Sequence, residues 1–208
     1  MSVATSVVLA TARTFLNDDA ATNMTDAFLI PKLQQAHRQL QIKLRRAAAP
    51  VMKNTYVETI ISTNTTFATP PTDLIAPIQL WEKAAADPVT LYQLMTEADP
   101  LPNVTQTTTM IWWAWVEEVV TFIGSTVNRQ VKMLYWRSLP VPQVNTDVIG
   151  FLNGELYLAP LTAAYAAGSV GQPQEMMSLI QLADLSLSEV ILANRGRAPQ
   201  AQGQSIKP

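Results

Sequence analysis

Leucine and alanine mark one side of the segment after Thr25-Asp26: Leu29, Leu33, Ala36, Leu40 and Leu44 stand four, three, four and four residues apart. That spacing lays one apolar stripe along a helix, and Thr25 or Asp26 can cap its first N–H groups. Pro31 falls in the first turn or two, where a missing N–H costs little, and Pro50 marks the end. An earlier helix is predicted over Val3–Leu16, broken by the turn-forming Asn and Asp residues of Asn17–Asn23.

The pattern then changes period. Tyr56–Ser62 is rich in Thr, Val and Ile, Asn64–Thr66 reads as a turn, and Pro70-Pro71 stops whatever precedes it. Ile75–Trp81, Thr90–Met95, Met110–Val116, Val119–Ile123 and Gln130–Arg137 are predicted strands, with turns at Glu117-Glu118 and Gly124–Asn128. An antiparallel sheet of short strands accommodates them. In Met110–Val116 a period of two puts Ile111, Trp113 and Trp115 on one face and Trp112, Ala114 and Val116 on the other. Both faces are apolar, so this strand needs cover on two sides, from the chain's own core or from another subunit.

Pro140 and Pro142 close the strand region. A helix is predicted over Leu156–Ala167, ending near Gly168 and Gly171, and a last one from Pro173 to about Asn194. Met176, Met177, Ile180, Ala183, Leu187, Val190 and Ile191 are expected along its buried side. From Gly196 to Pro208 the chain is too polar to fold alone and reads as a tail that orders on a partner. The class is α+β: N- and C-terminal helices form a helical core, an antiparallel β-rich layer is inserted between them, and an extended tail follows. The expected boundaries are 1–52 for the N-terminal helical part, 53–140 for the β-rich insertion, 141–195 for the C-terminal helices and 196–208 for the tail.

Composition narrows the function. With 208 residues the chain suits one folding unit, and a 14% charged fraction suits surface buried in an assembly. Zero cysteines removes disulfides and thiolate chemistry and fits synthesis in a reducing cytoplasm. No apolar run approaches the roughly 20 residues of a bilayer span, so no membrane partner is expected. His37 is the only histidine and stands among Gln34, Gln35, Arg38 and Gln41, which reads as a solvated helix face. One histidine with scattered carboxylates offers no metal cluster, and no phosphate-cradling glycine loop occurs, so no cofactor is expected. Among the carboxylates, Asp73, Glu82, Glu117 and Glu118 are the candidates for hydrolytic chemistry, yet nothing brings them together, and an enzyme is not expected. The charges are segregated instead. Lys32, Arg38, Lys43, Arg45, Arg46 and Lys53 occur with no acid between Ala27 and Val57, whereas Ser138–Asn194 holds Asp147, Glu155, Glu175, Asp184 and Glu189 with no Lys or Arg. Such regions are either two solvated helix faces or surfaces that pair, within a subunit or between neighbours.

Several segments taken in order carry a family likeness: Asn17-Asp18, Thr25-Asp26, the helix Leu29–Leu40, the block Pro71-Thr72-Asp73-Leu74-Ile75-Ala76-Pro77-Ile78-Gln79-Leu80-Trp81-Glu82, a Trp-rich strand, Phe122-Ile123-Gly124, Val131–Arg137 and the Ala-rich Leu158–Ala167. Together they resemble the head-to-tail adaptor (connector) proteins of tailed bacteriophages. Gln34-Gln35 stand where that pattern has an Asn-Glu pair. The resemblance implies a structural protein of the virion neck that forms a homo-oligomeric ring, commonly of twelve copies, below the portal. It implies portal and tail or tail-hub proteins as partners, with genome DNA passing through the channel without sequence recognition. On this reading Arg195, Arg197, Ile206 and Lys207 meet the portal. The ring contact sets Lys32, Arg38, Arg45 and Arg46 against Asp147, Glu155, Glu175 and Asp184. The alternative is a carbohydrate-binding module using Trp112, Trp115 or Trp136 as a stacking platform.

Overall fold

The computed structural model describes residues 3–18, 20–86 and 91–195. In chain order the elements are β1 (Val3–Ala4), α1 (Thr5–Phe15), α2 (Asp26–Arg46), a 3-10 turn (Pro50–Met52), β2 (Lys53–Ile60), β3 (Leu74–Ala84), β4 (Gln93–Leu94), β5 (Thr96–Glu97), β6 (Trp112–Val116), β7 (Val119–Phe122), β8 (Arg129–Arg137), β9 (Val148–Ile149), α3 (Glu155–Ser169) and α4 (Pro173–Asn194). The fold is α+β. Two compact units divide the chain, one made of the segments up to Met52 and from Leu139 onward, the other of Lys53–Ser138.

The first unit is helical. α3 is apolar and buried on nearly all sides, from Tyr157 through Ala167, and packs against α1, α2 and α4. Its alanines make that central position possible, since small side chains let three neighbours approach one helix; Ala12, Ala163, Ala164 and Leu179 meet at the α1–α3–α4 junction. The α2 stripe Leu29, Leu33, Ala36, Leu40 and Leu44 is fully buried, as its spacing requires. Pro31 sits inside α2 at its sixth residue, just beyond the free N–H groups of the first turn. Two amide clamps tie the returning chain down. Gln41 donates to the Leu139 carbonyl at 3.0 Å and accepts the Leu139 N–H at 3.0 Å. The buried Asn194 likewise accepts from Leu152 N–H at 3.0 Å and donates to its carbonyl at 2.8 Å. The predicted first helix begins later than expected, because Val3-Ala4 pair antiparallel with Val148-Ile149.

The second unit holds two sheets. One is antiparallel with strand order β2-β8-β3-β4; the other has order β5-β6-β7. They enclose a shared core that includes Phe67, Leu80, Met110, Trp113, Phe122, Val131, Met133 and Tyr135. Of the strand-region tryptophans, Trp113 is fully in this core and Trp115 packs partly against it. The purely antiparallel expectation needs one correction: β5 and β6 pair in parallel. The chain between them runs from Ala98 to Ile111, long enough for the crossover that a parallel pair demands. Glu117 and Glu118 form the two-residue turn between β6 and β7, both with positive φ (51° and 62°). That is the backbone of a type I′ hairpin, whose twist matches its strands and whose central positions favour Asn and Gly. Gly124 is required for packing, since a Cβ there would lie 2.9 Å from the carbonyl oxygens of Thr63 and Asn64.

Candidate assembly surfaces

α4 has two apolar sides. Leu179, Ala183, Val190 and Asn194 are buried, while Met177, Leu182, Leu185 and Leu192 are exposed, Leu185 by 77% and Leu192 by 66%. Met177 therefore leaves the buried side on which its spacing seemed to place it, and Leu179 takes that role. On a helical projection the exposed residues gather around Leu185, interleaved with Gln181, Ser188 and Glu189. α4 is also long and apolar enough to cross a membrane by length and composition, which corrects the expectation that no stretch approaches that limit. In this fold one side of it packs on α3.

α2 presents a contrasting outer side: Gln35, Arg38, Gln39, Ile42 and Arg46 are exposed and Arg45 is half-buried. Lys32 lies over the Phe28 ring at 5.5 Å. Among the described residues one ion pair joins basic α2 to acidic α4, where Lys43 donates to Asp184 at 2.6 Å and also lies over the Tyr157 ring at 5.0 Å. Asp147 accepts the Gln143 and Val144 N–H groups at 2.7 and 3.0 Å, and those bonds hold its carboxyl below the usual range. Glu155 and Glu175 stand half-buried in the first turns of α3 and α4. Arg195 is exposed just past α4; Arg197, Ile206 and Lys207 lie outside the described residues.

His37 is fully buried, contrary to the solvated face expected for it. Its ring meets Phe151 at 4.9 Å, and Gln41 donates to Nδ1 at 3.1 Å. The ring proton is therefore on Nε2, which meets no protein acceptor. Burial pulls the pKa down to about 4. The neighbouring glutamines misled the reading because Gln41 is itself turned inward, to serve Leu139.

The four carboxylates considered for hydrolysis are spent separately. Glu82 is buried in an ion pair with Arg129. Asp73 accepts from the Tyr135 hydroxyl at 2.8 Å, which together with burial pushes that phenol up to about 12, burial being the larger cause. Glu117 and Glu118 occupy the hairpin turn. Among the described residues no three His, Cys, Asp or Glu side chains gather as a metal site.

The outer face of the four-stranded sheet carries cations on rings. Lys53 lies 4.9 Å over Trp136, Lys83 5.1 Å over Tyr92, and Lys132 5.6 Å from both Trp81 and Tyr92. Trp136, one of the candidate sugar platforms, thus has a lysine on its face. Trp112 and Trp115 are half-buried.

The SU10 adaptor protein family matches residues 5–203. The chain belongs to that family. No curated protein matches it. Membership assigns a structural adaptor role in a phage particle, which implies a non-enzymatic protein and accounts for surfaces that present apolar rows and sorted charge. What the sequence missed in this adaptor is the second apolar row of α4 and the lysine–ring ladder. The first was legible in principle as a leucine content too high for one stripe.

Proposed function

We propose that this chain is a head-to-tail adaptor of the virion neck: copies form a ring below the portal, extend the DNA channel and offer the tail its platform. The observation that carries the reading is the exposed row Met177, Leu182, Leu185 and Leu192 on α4. A monomeric protein gains nothing from such a row, whereas burying a leucine contributes roughly 2 kcal/mol. In a ring each contact joins one face of a subunit to a different face of the next, and repetition multiplies the gain. The outer side of α2, with Arg38, Arg45, Arg46 and Ile42, is the complement we assign to α4, whose Glu175 and Glu189 supply opposite charge. Lys32, Asp147 and Glu155 are the further members we assign to the ring contact, and Asp184 serves it indirectly by holding Lys43. The segment from Arg195, with Arg197, Ile206 and Lys207, docks on the portal.

Leu185→Asp tests the reading. The side chain is exposed in the subunit, so the thermal midpoint stays within about a degree of wild type. Sedimentation velocity with portal protein is expected to show wild type shifting to a large complex and the variant remaining slow. Wild-type assembly undiminished by Leu185→Asp would remove α4 from the contact.

A further inference from the structure

The outer face of the sheet formed by β2, β8, β3 and β4 raises a separate question, because among the described strand residues on that face there are lysines and no acid. Register places Lys132 beside Val57 on β2 and Trp81 on β3, Lys83 beside Gln130, and Lys53 beside Trp136. Among the described residues the nearby carboxylates are turned to other duties: Glu82 pairs with buried Arg129, and Glu58 accepts from Tyr56 at 2.5 Å and from the Ala68 N–H at 2.8 Å. Among the described residues, three ammonium groups therefore share one face without an acid among them.

Each is also held in place. Lys83 and Lys132 lie over the same Tyr92 ring, and the Tyr92 hydroxyl is fixed by donating to Gln130 at 2.7 Å. A cation over a ring face loses part of its freedom before any ligand arrives, so less entropy remains to be lost on binding. Two like charges on one ring repel each other, and an anion placed between them removes that repulsion. Lys53 stands four residues along β8 from the Lys132 row, about 14 Å at strand rise.

We propose that this face is a contact surface for the phosphate backbone of duplex DNA. The rings that could stack on unpaired bases already carry lysines, so the surface reads charge and not base identity. The inference rests on the adaptor reading only for the source of the DNA, the genome in the channel.

The test is fluorescence anisotropy of a labelled duplex with the full chain, starting at about 20 mM salt. Three phosphate contacts give a slope of log K against log salt of roughly −2.7, a loss of roughly 40-fold for a fourfold rise in salt. Lys53→Gln, Lys83→Gln and Lys132→Gln each lower the slope by about one, and the triple variant loses it. Lys83→Arg, which keeps the charge, retains the slope and controls for folding, alongside an unchanged cooperative melt. Absence of binding at low salt, or an unchanged slope in the triple variant, overturns the proposal. So does a triple variant that binds DNA as wild type does but fails to assemble, which would make the face a protein contact. Sedimentation of the wild-type chain with portal keeps the two readings apart: a wild type that assembles but binds no DNA sinks this inference alone, whereas a triple variant that assembles but no longer binds DNA is the expected result.

Discussion

Arg129→Met is expected to be among the most damaging single substitutions in the strand-rich unit. Arg129 and Glu82 are 9% and 2% exposed, on adjacent strands β8 and β3, and pair with each other inside the sheet core. Removing the guanidinium leaves a carboxylate in an apolar setting. That costs about 3–5 kcal/mol, a large part of the 5–15 kcal/mol that holds a typical domain folded. The double variant Glu82→Leu with Arg129→Met removes both charges and is expected to recover to within about 1 kcal/mol of wild type, or to exceed it. The pH dependence gives a second check. Burial already raises the Glu82 pKa, with Arg129 opposing it. Without Arg129 the folded pKa rises further above its unfolded value, so the folded state binds the extra proton. Stability of Arg129→Met relative to wild type is then lowest near neutral pH and improves as pH falls through the raised folded pKa. Urea denaturation of the three variants between pH 4.5 and 7.5 measures all of this. A deficit under about 1 kcal/mol, or a double variant as unstable as the single one, would refute the view that this pair is a structural charge in a dry site.

Three further outcomes follow from particular residues. His37 is neutral when folded, with its pKa lowered to about 4 from an ordinary 6.5. Its contribution is complete above pH 6.5 and falls by about 3 kcal/mol as pH drops to 4; the stability difference between wild type and His37→Leu, followed across that range, should change accordingly, and parallel curves would disprove it. Replacing Glu117-Glu118 by Asn-Gly relieves two positive-φ positions and should raise stability by about 1 kcal/mol in chemical denaturation. Ending the chain at Asn194 should leave the thermal midpoint unchanged and abolish portal binding in a pull-down; full binding would remove the tail from the account.

Much of the fold was legible because burial imposes periods. The α2 stripe and the span Pro173–Asn194 follow from spacing and from proline, and the long strands follow from β-branched and aromatic runs. The two-residue strands β1 and β9 carry too little sequence to show a period. The parallel β5–β6 pair depends on a crossover, not on composition. His37 shares the spacing of Leu33, Leu40 and Leu44 and so stands on the apolar stripe, but its polar flank of Gln34, Gln35, Arg38 and Gln41 outweighed that period in the reading. Of the candidate surfaces, charge segregation was visible in the chain, but the lysine ladder was not. Lys53, Lys83 and Lys132 are far apart in sequence, and only strand register brings them to one face. In the exposed row of α4, the spacing puts only Met177 on the expected buried side and gives no side to Leu182, Leu185 and Leu192, so their gathering on one face went unread.

The most direct test of the assembly claim is negative-stain imaging of the purified chain mixed with portal protein. The account predicts annular complexes with density added beneath the portal ring, lost with Leu185→Asp. Monodisperse single subunits beside unchanged portal rings, on repeated mixing, would contradict it.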